Sequence, residues 1–420
     1  MACSGVRAYF RTALILTLLA GVAGRSLAQE EVPQADIGDL FSKRRLVQGS
    51  EPLPGKLYLA VLPILGYGPA NGFILGVGLA GSMLLDSGHH THISTSLANI
   101  QFTTQNQINF NFRSNIYTPH DRWILQGDWR YLIFSQPTYG LGIAEFPPVF
   151  VFNGITPDEE SGSQPMNFNY LRFYETAYRR IYKRLYAGLG IQVDRHTRIV
   201  DERLDLNAEP PFFTSHYIYS NLTGFDTASY ITSGFALKAL LDSRDNANNA
   251  YRGVYAELGL RVNTTWLGSD APSRMLNTDL RTYRSLGSER RVLAFWLLGN
   301  FLLGGEVPYL ALNSIGWDTY NRAGRGYVQG RFRGENALYG ETEYRFAISR
   351  NGLLGGVVFV NFYSADNRFT GQALLDKSAF GYGAGLRVKM SKEARTNICI
   401  DFGLGNMNSS ALYFGLQEVF

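Results

Sequence analysis

The sequence predicts an all-β fold: a sixteen-stranded antiparallel transmembrane β-barrel. Three observations lead there. Apolar residues alternate with small, polar or charged ones along many segments, which is the pattern of a strand with one apolar and one wet face. The segments run to about ten residues or more, longer than the five or six of an ordinary strand and close to the 9–11 that cross a bilayer at a tilt. The connections between them alternate between short and long, as in outer-membrane barrels.

The alternation is visible residue by residue. In 73–85, Phe73, Leu75, Val77, Leu79, Met83 and Leu85 share one face, and Gly76, Gly78, Ala80 and Ser82 the other. In 395–404, Thr396, Ile398, Ile400, Phe402 and Leu404 oppose Arg395, Asn397, Cys399, Asp401 and Gly403. In 107–117 the wet face carries Asn109, Asn111, Arg113 and Asn115 deep within the segment, which a soluble sandwich would not bury. The predicted segments are 57–66, 73–85, 92–103, 107–117, 121–134, 168–179, 184–196, 229–241, 253–266, 277–286, 291–303, 336–348, 354–365, 379–390, 394–406 and 410–420. Turns such as Thr118-Pro119-His120 and Ser391-Lys392-Glu393 are short; 135–167, 197–228, 304–335 and 366–378 are long. With a periplasmic N-terminus the long loops fall outside. Trp123, Tyr131, Phe134 and Tyr344 lie near segment ends, where interfacial aromatic girdles sit.

Residues 1–28 predict a secretory signal peptide: basic Arg7 and Arg11, an apolar run from Ala13 to Ala23, and Ser26-Leu27-Ala28 before a polar stretch. The run is too short for a membrane anchor. Residues 29–55 form a short periplasmic segment, with one helical turn at Ile37-Gly38-Asp39-Leu40-Phe41, and 56–420 the barrel. Removal of 1–28 takes away Arg7, Arg11 and Arg25, so the formal charge of +4 falls to +1. A near-neutral chain has no electrostatic case for binding nucleic acid. Cys3 also leaves, so Cys399 has no partner for an intramolecular disulfide.

Phe420 closes the last segment, on one face with Phe414 and Leu416. A terminal aromatic suits the signal that barrel-assembly machinery reads, although Glu418 interrupts the apolar series. Two further stretches carry a family resemblance. Gly324-Arg325-Gly326-Tyr327, with Gly330-Arg331, Gly334 and Glu343-Tyr344-Arg345, resembles the sixth-loop signature of the BamA/TamA superfamily of outer-membrane barrels (the bacterial surface antigens). The segment count places 324–327 in the sixth loop independently. Asp242-Ser243-Arg244-Asp245-Asn246, followed by Gly253, resembles the family's turn between strands eight and nine. Asp and Asn cap tight turns, and Arg244 can pair with either Asp.

The resemblance implies a sixth loop returned into the barrel, its Arg325 paired with inward carboxylates. Glu341, Glu343 and Asp401 are the candidates, with Glu343 expected as chief partner and Asp401 second. The family's Phe-x-Asp on strand thirteen is Phe359-Val360-Asn361 here, and Asn361 cannot balance a charge. Periplasmic modules of the POTRA type have no room between Gln29 and Lys56, so the barrel-only branch is the nearer likeness and a separate periplasmic partner would have to receive clients.

Chemistry is scarce. His89, His90 and His92 could ligate a metal, but a polar turn explains them as well. No serine nucleophile motif occurs, and no enzyme activity, metal or cofactor is expected. The expected function is assistance to the insertion or translocation of outer-membrane proteins or lipids, in contact with outer-membrane lipid. The alternative is a channel or structural barrel plugged by the sixth loop.

Overall fold

The computed structural model describes residues 34–41, 53–68, 72–86, 91–143, 162–319, 321–392, 394–406 and 409–420. The signal-peptide segment lies outside these, as do His89 and His90. Among the described residues eighteen strands are present: β1 Leu57–Gly68, β2 Gly72–Met83, β3 Ser94–Thr103, β4 Ile108–Tyr117, β5 Trp123–Thr138, β6 Gln164–Tyr182, β7 Leu185–Asp201, β8 Tyr230–Asp242, β9 Gly253–Asn263, β10 Ser273–Ser285, β11 Arg291–Gly305, β12 Asn313–Ser314, β13 Arg333–Gly334, β14 Ala337–Ala347, β15 Leu354–Ala365, β16 Ala379–Ser391, β17 Thr396–Gly405 and β18 Ser409–Leu416. Sixteen of them form one sheet in chain order, and β12 and β13 make a separate two-stranded ribbon. The neighbouring ladders are antiparallel throughout, with β11 pairing directly to β14. Among the described residues β1 and β18 are the two edges.

The period of two turns into two opposite surfaces. On the outer one Leu59, Val61, Leu75, Leu189, Leu237, Leu258 and Phe414 are exposed. On the inner one Arg130, Asp194, Arg261, Glu341, Glu343 and Asp401 are buried. Apolar outside and charged inside is the reverse of a water-soluble protein, and it suits a wall whose solvent is lipid. Strand pairing in a ladder also bonds each backbone group that hydrocarbon would leave unbonded.

Each predicted segment has a strand over it, but several ends differ. β5, β6 and β7 extend well past the predicted limits toward the long loops. There the polar-apolar alternation continues against loop side chains rather than lipid. Phe134, expected in an outer aromatic girdle, lies on the inner face instead: its ring packs edge-on to Trp317 of the sixth loop, 6.3 Å between centroids. Trp123 and Tyr131 are exposed on the outer face as expected. The seventh connection contains an unanticipated helix, Ser215–Thr223, capped by the Thr214 side chain and ended by Gly224 in the left-handed region. The last strand stops at Leu416 rather than Phe420. Gln417 takes a positive φ of 71°, and 417–420 turn onto the inner face, where Phe420 packs 5.3 Å from Trp296.

At the short-turn end the expected helical turn is present at Ile37–Phe41. Its segment docks on the β16–β17 turn through Lys392 Nζ to Asp39 Oδ2 at 2.9 Å and on the β14–β15 turn through Ala35 N–H donating to the Asn351 carbonyl at 3.0 Å. His92 sits beside Asp121, its Nδ1 2.5 Å from Asp121 Oδ2. Its backbone N–H donates to Asp121 Oδ1 at 2.9 Å. Burial opposes charge on the ring, but the Asp121 hydrogen bond and charge, helped by Asp242, outweigh it and raise the His92 pKa. No group of three or more His, Cys, Asp or Glu that could hold a metal occurs among the described residues.

A raised folded-state pKa makes this pair a contribution that is full below the unfolded value of about 6.5 and lost as pH climbs through the folded one. His92→Gln should therefore lower the unfolding midpoint in detergent at pH 5.5, by about 1 kcal/mol. The gap to the parent should shrink as pH rises through the raised folded-state pKa. A gap independent of pH would mean the ring acts only by packing.

Candidate functional site

The sixth loop leaves β11 and runs through the β12–β13 ribbon before entering β14. Its path is held from both sides of the interior. On one side Arg130 of β5 grips the loop: Nη1 donates to Asn321 Oδ1 at 2.6 Å, and Nη2 to the carbonyls of Asp318 and Thr319 at 3.0 and 2.9 Å. Asp128 holds Arg130 in place with a 2.6 Å bond. Around them Arg172, Arg261 and Asp194 continue the network. None of these was picked out from sequence. The signal was available: Asp128 and Arg130 are opposite charges two residues apart on one strand face, which makes neighbouring side chains.

On the other side the loop tip meets β14 to β17. Arg325 is 1% exposed and lies among three carboxylates. Its Nη2 donates to Glu341 Oε1 at 2.6 Å and Nε to Glu341 Oε2 at 3.3 Å. Nη1 donates to Asp401 Oδ2 at 2.9 Å, and Nη2 also reaches Glu343. The chief partner is thus Glu341, with two bonds, and not Glu343. The reason is lateral sharing: Glu343 also takes Arg345, whose Nε is 2.7 Å from Glu343 Oε2. The guanidinium lies 3.6 Å over the Phe359 ring. Burial alone would lower the Arg325 pKa, but Glu341, Glu343 and Asp401 hold it well above its ordinary value.

Asn361 is used as a donor. Its amide bonds the Arg325 carbonyl at 2.9 Å and Glu341 Oε2 at 3.3 Å, so where the family pattern expects a carboxylate this side chain fastens the loop backbone. Gly326 has φ +110°, and a Cβ there would stand 2.8 Å from the Leu404 carbonyl. Only glycine lets the loop lie this close to β17. Tyr327 is clamped by its hydroxyl, which donates to the Phe380 carbonyl at 2.7 Å and accepts from the Asn406 N–H at 3.0 Å.

The inward tail 417–420 joins the same network. Arg387 bonds Asp401 and also Glu418 Oε2, the latter at 2.7 Å. Asn397 donates to Glu418 Oε1 at 2.7 Å. Arg345 Nη2 donates to the Phe420 carbonyl at 2.9 Å. From the loop, Arg322 donates to the carbonyls of Gln417 and Leu416, both at 2.6 Å. Loop tip and tail are therefore tied directly and through the relay Arg325–Asp401–Arg387–Glu418. The residue that interrupted the apolar series, Glu418, is the one that draws the tail in. Cys399 is buried, its thiol donating to the Gln417 carbonyl at 2.9 Å.

The turn after β8 meets the tail, with Gln417 Nε2 donating to Asn248 Oδ1 at 3.0 Å. Arg244 pairs with Asp242, Nε at 3.0 Å and Nη2 at 2.8 Å, and Asp245 takes Arg395 at 2.6 Å. The Asp245 and Asn246 side chains accept backbone N–H groups of the turn, from Tyr251 and Arg252 and from Asn248 and Asn249 respectively. Gly253 has φ +111°, and a Cβ would fall 2.3 Å from the Ser243 carbonyl.

Truncating Arg325 to Ala leaves buried carboxylates short of a cation, a change that costs about 3–5 kcal/mol in buried pairs. Arg325→Ala should lower the unfolding midpoint in detergent accordingly. Arg325→Lys should recover only part of it, because an ammonium cannot serve three carboxylates with a planar fork. Equal midpoints for parent and Ala variant would refute the pairing.

The Omp85 superfamily domain matches residues 84–391. No curated protein matches. Among solved structures, BamA from Haemophilus ducreyi lacking POTRA domains 1–3 is similar at 13% identity and TM-score 0.53, over 86% of this chain and 70% of that one. CdiB from Escherichia coli is similar at 9% identity and TM-score 0.51, over 87% of this chain and 63% of that one. The chain belongs to the Omp85 superfamily and is an outer-membrane β-barrel of the Gram-negative type.

Proposed function

We propose that the sheet closes into a sixteen-stranded barrel along β1 and β18, and that the chain assists insertion or translocation of outer-membrane proteins or lipids through that seam. The observation that carries this reading is the withdrawal of 417–420 from the sheet. β18 keeps eight residues in its strand against twelve in β1, so the last strand leaves much of the β1 edge unmatched. An edge that retains unpaired N–H and C=O groups is a template for an incoming strand. Superfamily membership and the likeness to BamA and CdiB support the same reading. In it the Arg325 cluster holds loop and tail inside, Phe420 is part of that inner packing, and the Asp242–Gly253 turn fixes the periplasmic rim. Client delivery by a separate periplasmic protein belongs to the same proposal.

A second reading, a channel plugged by the sixth loop, draws on the interior cavity of about 220 Å³ between Trp317, Asp318, Arg261 and Arg281. Planar-bilayer conductance separates the two. A large steady pore that grows on deletion of 318–334 favours the channel.

The seam is tested with one cysteine in 57–66 and one in 410–416, in a Cys399→Ala background. Oxidation should stop the chain from accelerating the folding of an unfolded model barrel into proteoliposomes, and reductant should restore it. Full activity with the seam covalently closed would reject lateral release.

A further inference from the structure

Along β6, Tyr170, Tyr174, Thr176 and Tyr178 lie on the inner face; Tyr174 bonds buried Asp194 there. Parity sends Glu175 outward with Leu171 and Phe173. Its cross-strand neighbours are Gly127 on β5 and Ile191 on β7, and Gly127 in turn faces Ser114 on β4. The row toward the long loops is aromatic: Phe112, Trp129 and Phe173 lie 5.2 and 5.5 Å apart in sequence across three strands. The row toward the short turns holds Leu125 and Leu189. Trp129, Phe173, Leu125, Leu189 and Ile191 are all exposed. A carboxylate thus sits in the middle of an apolar wall.

Trp129 Nε1 donates to Glu175 Oε1 at 2.8 Å, and Glu175 forms no ion pair with a described Lys or Arg. A Cβ on Gly127 would stand 2.8 Å from both Glu175 Oε1 and Ser114 Oγ. The two side chains therefore converge over the bare glycine backbone, a notch too tight for a Cβ, with a hydroxyl on one side and a carboxylate on the other. Gly127 lies four residues along β5 from Trp123, which at about 3.4 Å per residue and the usual tilt is roughly 10 Å into the wall. The outward cation of the same strand, Arg179, sits back at that end, 5.6 Å over the Trp123 ring. An ionisable group at hydrocarbon depth is costly and marks a site that meets a partner.

We propose that the Ser114–Gly127–Glu175 notch docks a membrane-spanning segment of a partner protein that presents a hydroxyl, amide or ammonium donor to Glu175. Charge and hydrogen-bond complementarity select this occupant: the notch offers acceptors at its rim, within an apolar surround that a spanning segment would match. Lipid headgroup amines lie at the interface, too shallow to reach it, and a second copy docked face to face would set carboxylate against carboxylate.

The test places a photo-reactive residue at Leu125, below the notch, and at Leu237, on another part of the outer wall, in the full chain in native outer membranes. A discrete heavier-protein adduct should form from position 125 and not from 237, and Glu175→Leu should reduce it by about tenfold, the effect of losing one hydrogen bond of about 1.4 kcal/mol. The purified Glu175→Leu barrel should melt in detergent at the same or a higher temperature, since it loses a charge from a lipid-facing wall. An adduct indifferent to Glu175, adducts to lipid or to a second copy only, or a lower melting temperature would overturn the proposal; the last would assign Glu175 to fastening its own wall through Trp129.

Discussion

An arginine removed from water must take its counter-charges with it, and the architecture around the sixth loop follows from that requirement. Arg325 is satisfied only where carboxylates from β14 and β17 converge. Those strands are not neighbours; β15 and β16 lie between them. A single side chain therefore ties the curvature of four successive strands to the position of a loop. Desolvation makes this interaction costly to form badly and costly to break. That is the physical content of a lock: the loop has one place where its charge is tolerated.

The same constraint extends to the tail. Arg387 shares Asp401 with Arg325 and shares Glu418 with Arg345. Whatever shifts Asp401 changes both the loop anchor and the anchor of 417–420. The backbone bonds from Arg322 to Leu416 and Gln417 add a direct link. A last strand shortened by its own tail, with that tail tied to the sixth loop, joins the buried electrostatics to the end of the sheet.

The outer wall obeys the complementary rule. It is apolar nearly everywhere, so its few polar groups stand out. The interior is the reverse, dense with Arg–carboxylate pairs and tyrosines. The chain thus sorts its charges by strand parity, and Glu175 breaks that sorting where Gly127 leaves room for it.

Much of this was legible from the sequence alone. Strand alternation has a local cause, the pleat, so the segments from 57–66 to 394–406 each carry a strand, with ends that differ by a few residues, and 410–420 carries one as far as Leu416. Glycine at 326 and 253 stood in the two motifs, and the structure shows why no other residue serves. Arg325 and its candidate partners Glu341, Glu343 and Asp401 were readable through the family resemblance, since an arginine returned inside needs opposite charge. What only the tertiary structure decided is which of these meet. Glu341 outranks Glu343 because Arg345 claims the latter; Arg244 takes Asp242 because Arg395 takes Asp245; Phe134 turns from lipid to loop because β5 runs on past the wall; and the tail leaves the sheet because Arg387 and Arg345 wait for Glu418. Pleat and parity are properties of a chain segment, whereas the sharing of a carboxylate between two guanidiniums depends on residues brought together from distant strands.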